Sequence, residues 1–367
     1  MIIGAGLAGA ATAFQLARRG LRDVVVLEQE SAPGHHSSGR NAAMVRQVVA
    51  DGAIAGLARE GARFIAEAAR EWAAPGLFEH RGSLLLAGRR GSAGLLQARE
   101  AARRSDLDVE VWERDRVEAR VEATRGGAFE VGVFTPSDGT VDVHALLQAY
   151  LRESRRGGAE VIASRRVDEI IVEGNGRRRV VAVRAGDLEI RTPRVVDAAG
   201  AWASEVAALA GAAPIALTPH VRHLVHTGPE PRARRDWPYV WDIDEDVYFR
   251  PESDGLLVSP CDHTPSQPGD ARSSSGALEL LAAKLERAFP ELHDVRVGRY
   301  WAGHRTFARD ERFVIGPDPA VGGFFWVAGL GGHGMTVSAA AGRLAAELII
   351  DPEKDRENPF SPRRLVD

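Results

Sequence analysis

The first thirty residues alternate between apolar runs and a glycine-rich turn, a pattern that predicts a strand, a helix and a second strand. Residues 1–3 are apolar and lead into glycines at positions 4, 6 and 9. Residues 10–19 then have helical character, and Gly20 ends the helix. Residues 24–27 form an unbroken aliphatic run, which is typical of a buried parallel strand.

Hydrophobic periodicity along the rest of the chain predicts a succession of helices and strands. Helices are predicted to begin near Asn41 and to occupy 54–72, 91–104, 143–155, 277–289 and 336–350. Asp142 is placed to cap the helix at 143–155. Short apolar runs predict strands at 83–87, 160–164, 167–172, 180–183, 194–199 and 324–328.

Residues 214–299 follow another pattern, in which short apolar runs alternate with Pro, Gly and Asp. This pattern predicts an antiparallel sheet laid over the parallel one, and the chain as a whole predicts an α/β fold (α+β overall) with two lobes. The first lobe is predicted to be discontinuous and to comprise 1–80, 138–213 and 300–350. The second lobe comprises 81–137 and 214–299, and 351–367 form a C-terminal tail.

Composition and charge exclude several classes of protein. The formal net charge is −4 and there is no basic stripe, so nucleic acid is not expected as a partner. The single cysteine, Cys261, cannot form an internal disulfide, and the histidines lack metal-ligand spacing, so no metal site is expected. Glycines interrupt the apolar first 16 residues, and no transmembrane segment is expected. We therefore expect a soluble, cytoplasmic protein.

The glycine-rich turn between the first strand and helix has the spacing of a dinucleotide-binding site. Gly4 permits the tight turn, Gly6 lets the backbone approach a pyrophosphate, and Gly9 lets the helix pack close to the strand. Glu28 follows at the end of the second strand, where an acid accepts hydrogen bonds from a ribose. The predicted nucleotide contacts of this unit are Gly4, Gly6, Leu7, Ala8, Gly9, Glu28 and Gln29.

Two further segments favour a flavin over a nicotinamide. Residues 29–44 form a small, polar loop that could hold the rest of a flavin pyrophosphate, although a mere surface loop would have a similar composition. Residues 329–335 form a second glycine-rich turn between a strand and an Ala-rich helix. That helix start could stabilise negative charge on a reduced flavin, or the glycines could serve only close packing. A nicotinamide fold needs only the first unit.

Five segments carry a resemblance to a known family: residues 4–9, 37–43, 197–202, 301–305 and 329–335. With them the chain resembles the D-amino-acid oxidase superfamily over nearly its whole length. The resemblance implies non-covalent FAD in the first lobe and a substrate site in the second. It implies that an amino acid is oxidised to its imino acid by hydride transfer from the α-carbon to flavin N5. The further FAD contacts that it implies are Ser37, Ser38, Arg40, Asn41, Ala42, Ala43, Met44, Val167, Ala199, Gly200, Trp202, Gly303, Gly331, Gly332, His333, Gly334, Met335 and Thr336.

The resemblance also implies a substrate site, in which Arg305 would clamp the substrate carboxylate. The implied catalytic residues are Arg305, Tyr248, Arg222, Gly332 and His333. The implied pocket residues are Met44, Ser83, Tyr239, Trp241, Met335 and Thr336. His304 and His333 are candidates for proton handling, although a structural role explains a buried histidine equally well.

Within the superfamily the chain resembles the bacterial D-arginine dehydrogenases most, through residues 236–238, Tyr248 and residues 361–365. It has Met44 where those enzymes have a histidine, and Ser83 where they have an acid for the guanidinium. A cationic side chain without an acid partner would be buried unpaired. The departures therefore favour a D-amino acid with a neutral or apolar side chain.

The alternative is an oxidase or dehydrogenase of glycine, sarcosine or another secondary amine, possibly as a subunit of a complex. A third hypothesis is a non-catalytic FAD-binding assembly factor. The electron acceptor is expected to be oxygen or a quinone or dye. Some sarcosine oxidases place a lysine over the flavin, and neither Lys284 nor Lys354 matches that position, which favours a dehydrogenase.

Overall fold

The computed structural model describes residues 1–72, 74–176 and 178–366, and within them the chain forms eight α-helices and 21 β-strands. The helices are α1 (Leu7–Arg18), α2 (Gly52–Glu71), α3 (Ser92–Arg103), α4 (Arg114–Arg120), α5 (Val143–Arg156), α6 (Ala203–Ala210), α7 (Ser275–Ala288) and α8 (Ser338–Ile350). Short 3-10 helices lie at Glu122–Thr124, Gly200–Trp202, Pro290–Leu292, Pro352–Glu357 and Pro362–Leu365.

The strands of the first half are β1 (Ile2–Ile3), β2 (Val25–Leu27), β3 (Met44–Val45), β4 (Phe78–Glu79), β5 (Ser83–Ala87), β6 (Glu110–Trp112), β7 (Val131–Thr135), β8 (Gly139–Val141), β9 (Glu160–Ile162), β10 (Glu169–Glu173) and β11 (Arg179–Ala185). Those of the second half are β12 (Leu188–Arg191), β13 (Val195–Asp197), β14 (Leu217–His226), β15 (Tyr239–Asp242), β16 (Val247–Glu252), β17 (Gly255–Ser259), β18 (Thr264–Pro265), β19 (Arg299–Ala308), β20 (Val314–Pro317) and β21 (Phe324–Ala328).

A six-stranded sheet in the order β20-β21-β13-β1-β2-β9 confirms the predicted parallel core, and only its edge strand β20 is antiparallel. Side chains alternate between its two faces, as the period of a strand requires. Ile2 packs in a cluster with α1, α2 and α8, whereas its neighbour Ile3 packs in another with α6 and the hairpin strands β10 and β11. Burial on both faces explains why these strands are unbroken aliphatic runs in the sequence.

The predicted antiparallel sheet is confirmed and is larger than residues 214–299. Nine strands form it, in the order β18-β14-β17-β16-β15-β5-β7-β6, with β19 paired to β14 over ten residues. All its neighbours are antiparallel except β5 and β15. Helix α3 covers one face and α7 the other. The mixed architecture therefore has the predicted fold class.

The division of the chain into two lobes remains a prediction. Strand β19 lies close to one of the predicted boundaries, at residue 300. Its residues, which the sequence pattern assigned to the first lobe from position 300, are an integral strand of the nine-stranded sheet. The chain then enters the six-stranded sheet through β20. Among the described residues, no helix is long and apolar enough to cross a membrane.

The helix predicted near Asn41 is wrong. The Asn41 side chain donates to the Ser38 carbonyl (2.6 Å) and accepts from the Ala43 N–H (2.8 Å). Ala43 has a φ of +60°, a conformation that a helix does not contain. Residues 44–45 then form strand β3, which pairs with β8 in a small three-stranded sheet with β4. The polar loop therefore closes on itself and turns into a strand.

Candidate active site

The turn before α1 is built as the glycine pattern predicts. Gly4 has a φ of +101°, and a Cβ there would lie 2.6 Å from the Ala198 carbonyl oxygen. A Cβ on Gly9 would lie 1.9 Å from the Gly4 carbonyl oxygen, so only glycine lets the helix approach the strand. The first hydrogen bond of α1 runs from the Ala10 N–H to the Gly6 carbonyl. The N–H groups of the residues before Ala10 therefore have no partner within the helix.

The Glu28 carboxylate organises the same turn from the end of β2. It accepts hydrogen bonds from the N–H groups of Ala5 (2.8 Å) and Glu30 (2.9 Å), one on each oxygen. Each carboxylate oxygen has two lone-pair sites, so the group retains acceptor capacity for a ribose hydroxyl. Ser38 ties the polar loop to this turn, because its hydroxyl oxygen accepts from the Leu7 N–H at 2.9 Å.

A single cavity of about 540 Å³ begins at this turn and runs between the two large sheets to β14, β16 and β19. A Cβ added at Gly200 or Gly332, both in its wall, would lie more than 4 Å from every atom outside the adjacent residues, so these glycines leave open space in the cavity. The predicted cofactor contacts that line it are Gly4, Gly6, Leu7, Ala8, Glu28, Gln29, Ser37, Ser38, Asn41, Ala42, Ala43, Met44, Val167, Ala199, Gly200, Trp202, Gly331, Gly332, His333, Gly334, Met335 and Thr336. The cavity wall therefore contains two glycine-rich turns, one from each end of the chain, and the Glu28 carboxylate. These residues fit FAD.

Three predicted cofactor contacts lie outside this wall. Gly9 serves helix packing, as described above. Arg40 forms an ion pair with Asp270 (2.9 Å) and uses its carbonyl to accept from Arg305. A Cβ on Gly303 would lie 2.7 Å from that same carbonyl oxygen, so Gly303 lets the polar loop rest on β19.

The substrate-pocket prediction needs a correction at two residues, whereas Met44, Trp241, Met335 and Thr336 do line the cavity. Ser83 is fully buried, and its hydroxyl donates to the Asp138 carboxylate at 2.6 Å. The hydroxyl of Tyr239, 1% exposed, donates to the Val45 carbonyl at 2.9 Å. Both side chains point behind the wall because each has a buried acceptor there.

Arg305, Arg222 and Tyr248 line the cavity where β19, β14 and β16 reach it, and the two guanidinium groups make this end of the cavity cationic. Arg305 is 8% exposed and donates to two main-chain carbonyls, those of His304 (2.9 Å) and Arg40 (3.1 Å). Arg222 donates from Nε to the Asp262 carbonyl at 2.9 Å. Main-chain acceptors orient the Arg305 guanidinium without neutralising it, so this residue is suited to an anion, whereas the carboxylates of Asp246 and Asp262 lie close enough to Arg222 to contribute to its raised pKa.

Burial shifts the pKa values of Arg305 and Tyr248 without changing their charge at neutral pH. Burial, and secondarily the Arg222 charge, lowers the pKa of Arg305 to about 10, so its guanidinium stays protonated. Burial raises the pKa of Tyr248 to about 12, and the two guanidinium charges oppose that shift. Tyr248 is therefore a neutral hydroxyl that can donate to the same anion.

Arg46 is a further cation in the cavity wall, and sequence reasoning missed it. Its Nη2 donates to His333 Nε2 (3.1 Å), and its guanidinium carbon lies 4.4 Å from the centroid of the Trp241 ring. Burial and the Arg46 charge lower the pKa of His333 to about 3. The imidazole is thus a neutral acceptor that orients Arg46. Only its position two residues after Met44 could have singled out Arg46 among so many arginines.

A buried polar cluster behind the wall holds the segment that carries Arg46. Asp138 accepts from the Ser83 hydroxyl and from Gln47 Nε2 (2.9 Å), while Tyr239 holds the Val45 carbonyl. Burial raises the pKa of Asp138 to about 7. The residues on either side of Arg46 are therefore tethered to the nine-stranded sheet and its neighbour β8.

Comparison with known proteins places these features in a family. A family model described as FAD dependent oxidoreductase, DAO, matches residues 1–348. Mitochondrial sarcosine dehydrogenase of Mus musculus is 30% identical over 236 residues, which cover 61% of this chain and 26% of that protein. The 4-methylaminobutanoate oxidase (formaldehyde-forming) of Paenarthrobacter nicotinovorans is 24% identical over 363 residues, 95% of this chain and 43% of that protein. The chain thus spans less than half the length of each of these two relatives.

The fold agrees with the family match. The crystal structure of L-proline dehydrogenase from P. horikoshii has a TM-score of 0.89 and 22% sequence identity, over 99% of this chain and 96% of that one. The match of the family model extends from the first glycine turn through the second, and so includes both ends of the cavity. The chain belongs to the DAO family of FAD-dependent oxidoreductases.

Proposed function

We propose that this protein oxidises the bond between carbon and nitrogen in an amine that also carries a carboxylate, and foremost in a secondary amine. The observation that carries the proposal is Arg305, a buried guanidinium whose bonds go to main-chain carbonyls in the same cavity as the FAD turns. Sarcosine and 4-methylaminobutanoate, which name two relatives, are both secondary amines with a carboxylate. FAD, when bound, supplies the oxidant that accepts the hydride.

The residues of the chain would bind and orient the substrate. Arg305 and Arg222 would attract the carboxylate, and the Tyr248 hydroxyl would donate to it. A clamped carboxylate fixes where the neighbouring carbon lies, and positioning of this kind supplies much of the rate in such reactions. Trp241, whose ring centroid lies 5.0 Å from that of Tyr248, forms the wall beside the clamp, and Arg46 stacks on Trp241, so the rest of the substrate would meet an aromatic face with a guanidinium beside it.

The same charges would hold the substrate amine in its reactive form. A positive field disfavours a second positive charge, so guanidinium groups lower the pKa of a bound ammonium group. The amine would then bind neutral with its lone pair free, and no general base would be needed. A cationic side chain would be rejected for the same reason. This agrees with the preference for a neutral side chain that the residues at positions 44 and 83 indicate.

Oxidation of a D-amino acid with a neutral side chain stays a second candidate. The clamp made by Arg305, Arg222 and Tyr248 addresses only the carboxylate and therefore suits a primary amino acid as well. We also propose that FAD is held without a covalent bond, because Cys261 lies outside the cavity wall and neither His35 nor His36, which line it, matches a linking position that the family resemblance implies. Oxygen and a quinone or dye are the proposed electron acceptors.

The proposal is tested by anaerobic mixing of the FAD-loaded protein with N-methyl amino acids, glycine, D-amino acids and L-amino acids. We expect N-methyl amino acids to bleach the flavin absorbance near 450 nm. Arg305→Ala should lower the apparent second-order rate of bleaching at least about 30-fold, since removing one partner of a buried charge pair costs about 2 kcal/mol or more.

The matched control is Arg125→Ala, which removes an exposed arginine far along the chain from the cavity segments. It should bleach at the wild-type rate. Bleaching by D-amino acids alone would select the second candidate. Retention of full activity in Arg305→Ala, with FAD bound and the circular dichroism unchanged, would contradict the proposed clamp.

A further inference from the structure

We infer that His223 is a positioning residue for Arg222. It holds the Asp262 carboxylate away from the Arg222 guanidinium, so that the main-chain carbonyl of Asp262 orients Arg222 instead. This role rests on the proposed function, in which Arg222 attracts the substrate carboxylate, and it deepens that function. The starting observation is a buried pair of an imidazole and a carboxylate that lies beside the cavity wall and has no part in the clamp.

The pair of His223 and Asp262 is buried and closely bonded. Adjacent residues of a strand point to opposite faces, so Arg222 lines the cavity and His223 does not. The Asp262 carboxylate accepts the His223 main-chain N–H at one oxygen and bonds to His223 Nδ1 at the other, both at 2.7 Å. The two side chains are 5% and 8% exposed. A single residue therefore occupies both oxygens of the acid.

The hydrogen bonds of the ring define its protonation. His223 Nε2 lies 3.0 Å from the main-chain nitrogen of Ser274, whose N–H can only donate, so Nε2 accepts and carries no proton. The ring proton is then on Nδ1, which donates to Asp262. Although burial would raise it, the hydrogen bonds from His223 and the Arg222 charge lower the pKa of Asp262. A neutral imidazole thus donates to an ionised carboxylate.

The main chain of the same acid orients Arg222. Arg222 Nε donates to the Asp262 carbonyl oxygen at 2.9 Å, and this oxygen is its one hydrogen-bond acceptor in the described part of the chain. Both terminal nitrogens therefore remain available to a ligand. A carbonyl oxygen orients a guanidinium without cancelling its charge, whereas a carboxylate would bind it by a charge-assisted bond.

The loop that carries this carbonyl is held on two sides. Cys261 has a φ of +49°, a conformation that residues other than glycine rarely adopt. Before it, Lys284 Nζ donates to the Pro260 carbonyl at 2.7 Å, and after it His223 binds Asp262. Tethers on both sides of the turn fix the direction of the Asp262 carbonyl before any ligand binds.

Asp262 lies close enough to Arg222 to compete with a ligand. The carboxylates of Asp246 and Asp262 contribute to the raised pKa of Arg222, although burial opposes them. Among the described residues neither forms an ion pair with Arg222, and each serves another donor: Asp262 serves His223, and Asp246 accepts from the Trp241 indole N–H at 3.1 Å. Without the Nδ1–H bond, one oxygen of Asp262 would lose its donor. A buried charge without a partner is costly, so that oxygen would turn to Arg222 and displace the substrate carboxylate.

Two substitutions of His223 separate its two side-chain hydrogen bonds. In His223→Asn the amide nitrogen takes the place of Nδ1 and can donate to Asp262, but the bond with Ser274 is lost. In His223→Gln the amide oxygen reaches the place of Nε2 and can accept from Ser274, but the donor to Asp262 is lost. Glutamine is closer to histidine in volume, so a role in packing alone would make asparagine the more damaging change. If His223 acts through Asp262, glutamine is the more damaging change.

Binding of (methylthio)acetate, a carboxylate with sulfur in place of the amine nitrogen, measures the clamp without oxidation. Isothermal titration calorimetry is carried out on the FAD-loaded protein. Arg222→Ala should weaken binding about 10- to 100-fold, the value of one hydrogen bond to a charged group. His223→Gln should weaken it at least about 3-fold, and His223→Asn should stay within about 2-fold of wild type. In the Arg222→Ala background, His223→Gln should have no further effect, because both changes act on one interaction.

His226→Gln is the matched control on the same strand. His226 bonds to main-chain groups of Glu252 (3.3 Å) and Gly228 (3.1 Å), and it lies outside the cavity wall. It should bind (methylthio)acetate as tightly as wild type.

Crystal structures of the wild type and of both His223 variants report the position of Arg222 without a ligand. The wild type and His223→Asn should keep the bond from Arg222 Nε to the Asp262 carbonyl. In His223→Gln the Asp262 carboxylate should pair with the Arg222 guanidinium.

Wild-type affinity in His223→Gln, or weaker binding by His223→Asn than by His223→Gln, would overturn the inference. An equal effect of His223→Gln with and without Arg222, or an unchanged Arg222 in its crystal structure, would overturn it as well. If (methylthio)acetate does not bind the wild type, or binds Arg222→Ala equally well, the clamp of the proposed function fails, and the crystal structures still decide the role of His223. The two failures are therefore distinguishable.

Discussion

At the scale of single residues, the site depends on buried groups whose partners set their charge. Arg305 has main-chain acceptors and keeps its charge for a ligand, whereas the hydrogen-bond donors to Asp138 are a hydroxyl and an amide, and the Arg46 charge only partly offsets the effect of burial. Burial therefore dominates at Asp138 and raises its pKa to about 7. The two buried groups therefore have different roles. Arg305 is charged and faces the cavity, whereas Asp138 lies behind the cavity wall and supports it.

Asp138→Asn should change the pH dependence of stability. In wild type the folded state holds the Asp138 proton up to about pH 7, whereas the unfolded state releases it near pH 4. Between these values the folded state binds more protons, so stability falls as pH rises. The asparagine does not titrate, so its stability relative to wild type should increase from pH 5 to pH 8, by about 3 kcal/mol, most of it between pH 5 and pH 7.

Urea unfolding of both proteins at pH 5, 6, 7 and 8 measures this difference. Asp254→Asn, at an exposed turn position, is the control for the loss of a surface carboxylate. A constant difference between Asp138→Asn and wild type across the four pH values would refute the buried, protonated carboxyl group.

At the scale of elements, close helix packing positions the second glycine turn against the cavity. A Cβ on Gly61 in α2 would lie 1.9 Å from the Thr336 carbonyl oxygen, just ahead of α8. A Cβ on Gly342 in α8 would lie 2.7 Å from the backbone of Ala11 in α1. The three helices thus meet at glycine contacts, and this arrangement holds Met335 and Thr336 at the cavity wall.

Gly61→Ala and Gly56→Ala form a matched pair within α2. Gly61→Ala should destabilise the protein by about 1–3 kcal/mol, because the added methyl group must displace backbone. Gly56→Ala meets no atom within 4 Å and should stabilise by about 0.5–1 kcal/mol through helix propensity. Denaturant unfolding gives both free energies. FAD affinity should fall only in Gly61→Ala, and stabilisation by that variant would contradict the observed packing.

At the scale of the whole molecule, the cavity joins distant parts of the chain. Its wall contains Ile3 near one end and Thr336 near the other, together with strands of both large sheets. A ligand that fills it contacts segments that otherwise meet only through packing. Cofactor binding and folding are therefore linked, because FAD can bind only where all these segments are assembled.

Removing FAD should lower the stability of the whole chain in a single step. At free FAD 100 times above its dissociation constant, the gain should be about 2.7 kcal/mol relative to the apoprotein, seen as a higher thermal midpoint that rises with FAD concentration. Acid precipitation of the holoprotein should leave the flavin in the supernatant, since we propose that it is not covalently bound. Yellow colour that stays with the precipitated chain would refute non-covalent binding.

The sequence by itself determined the features that local geometry imposes. Gly4, Gly6 and Gly9 are spaced by the turn they form, and Glu28 follows at the end of the next strand, so the nucleotide site could be predicted from pattern alone. The parallel core and most helices were predictable for the same reason: burial on one or two faces leaves a period in the chain. Arg305 required the family resemblance, because its role depends on its neighbours.

Only the tertiary structure decided which side chains face the cavity. Ser83 and Tyr239 turn away from it because Asp138 and the Val45 carbonyl accept their hydroxyl groups from behind. The segment at Asn41 is not a helix because its side chain bonds to its own loop. Arg46 gains its position from Trp241 and His333, which are nearly 200 and nearly 300 residues away. Contacts at such separations leave no period or spacing in a sequence, because they arise only when the sheets and helices come together.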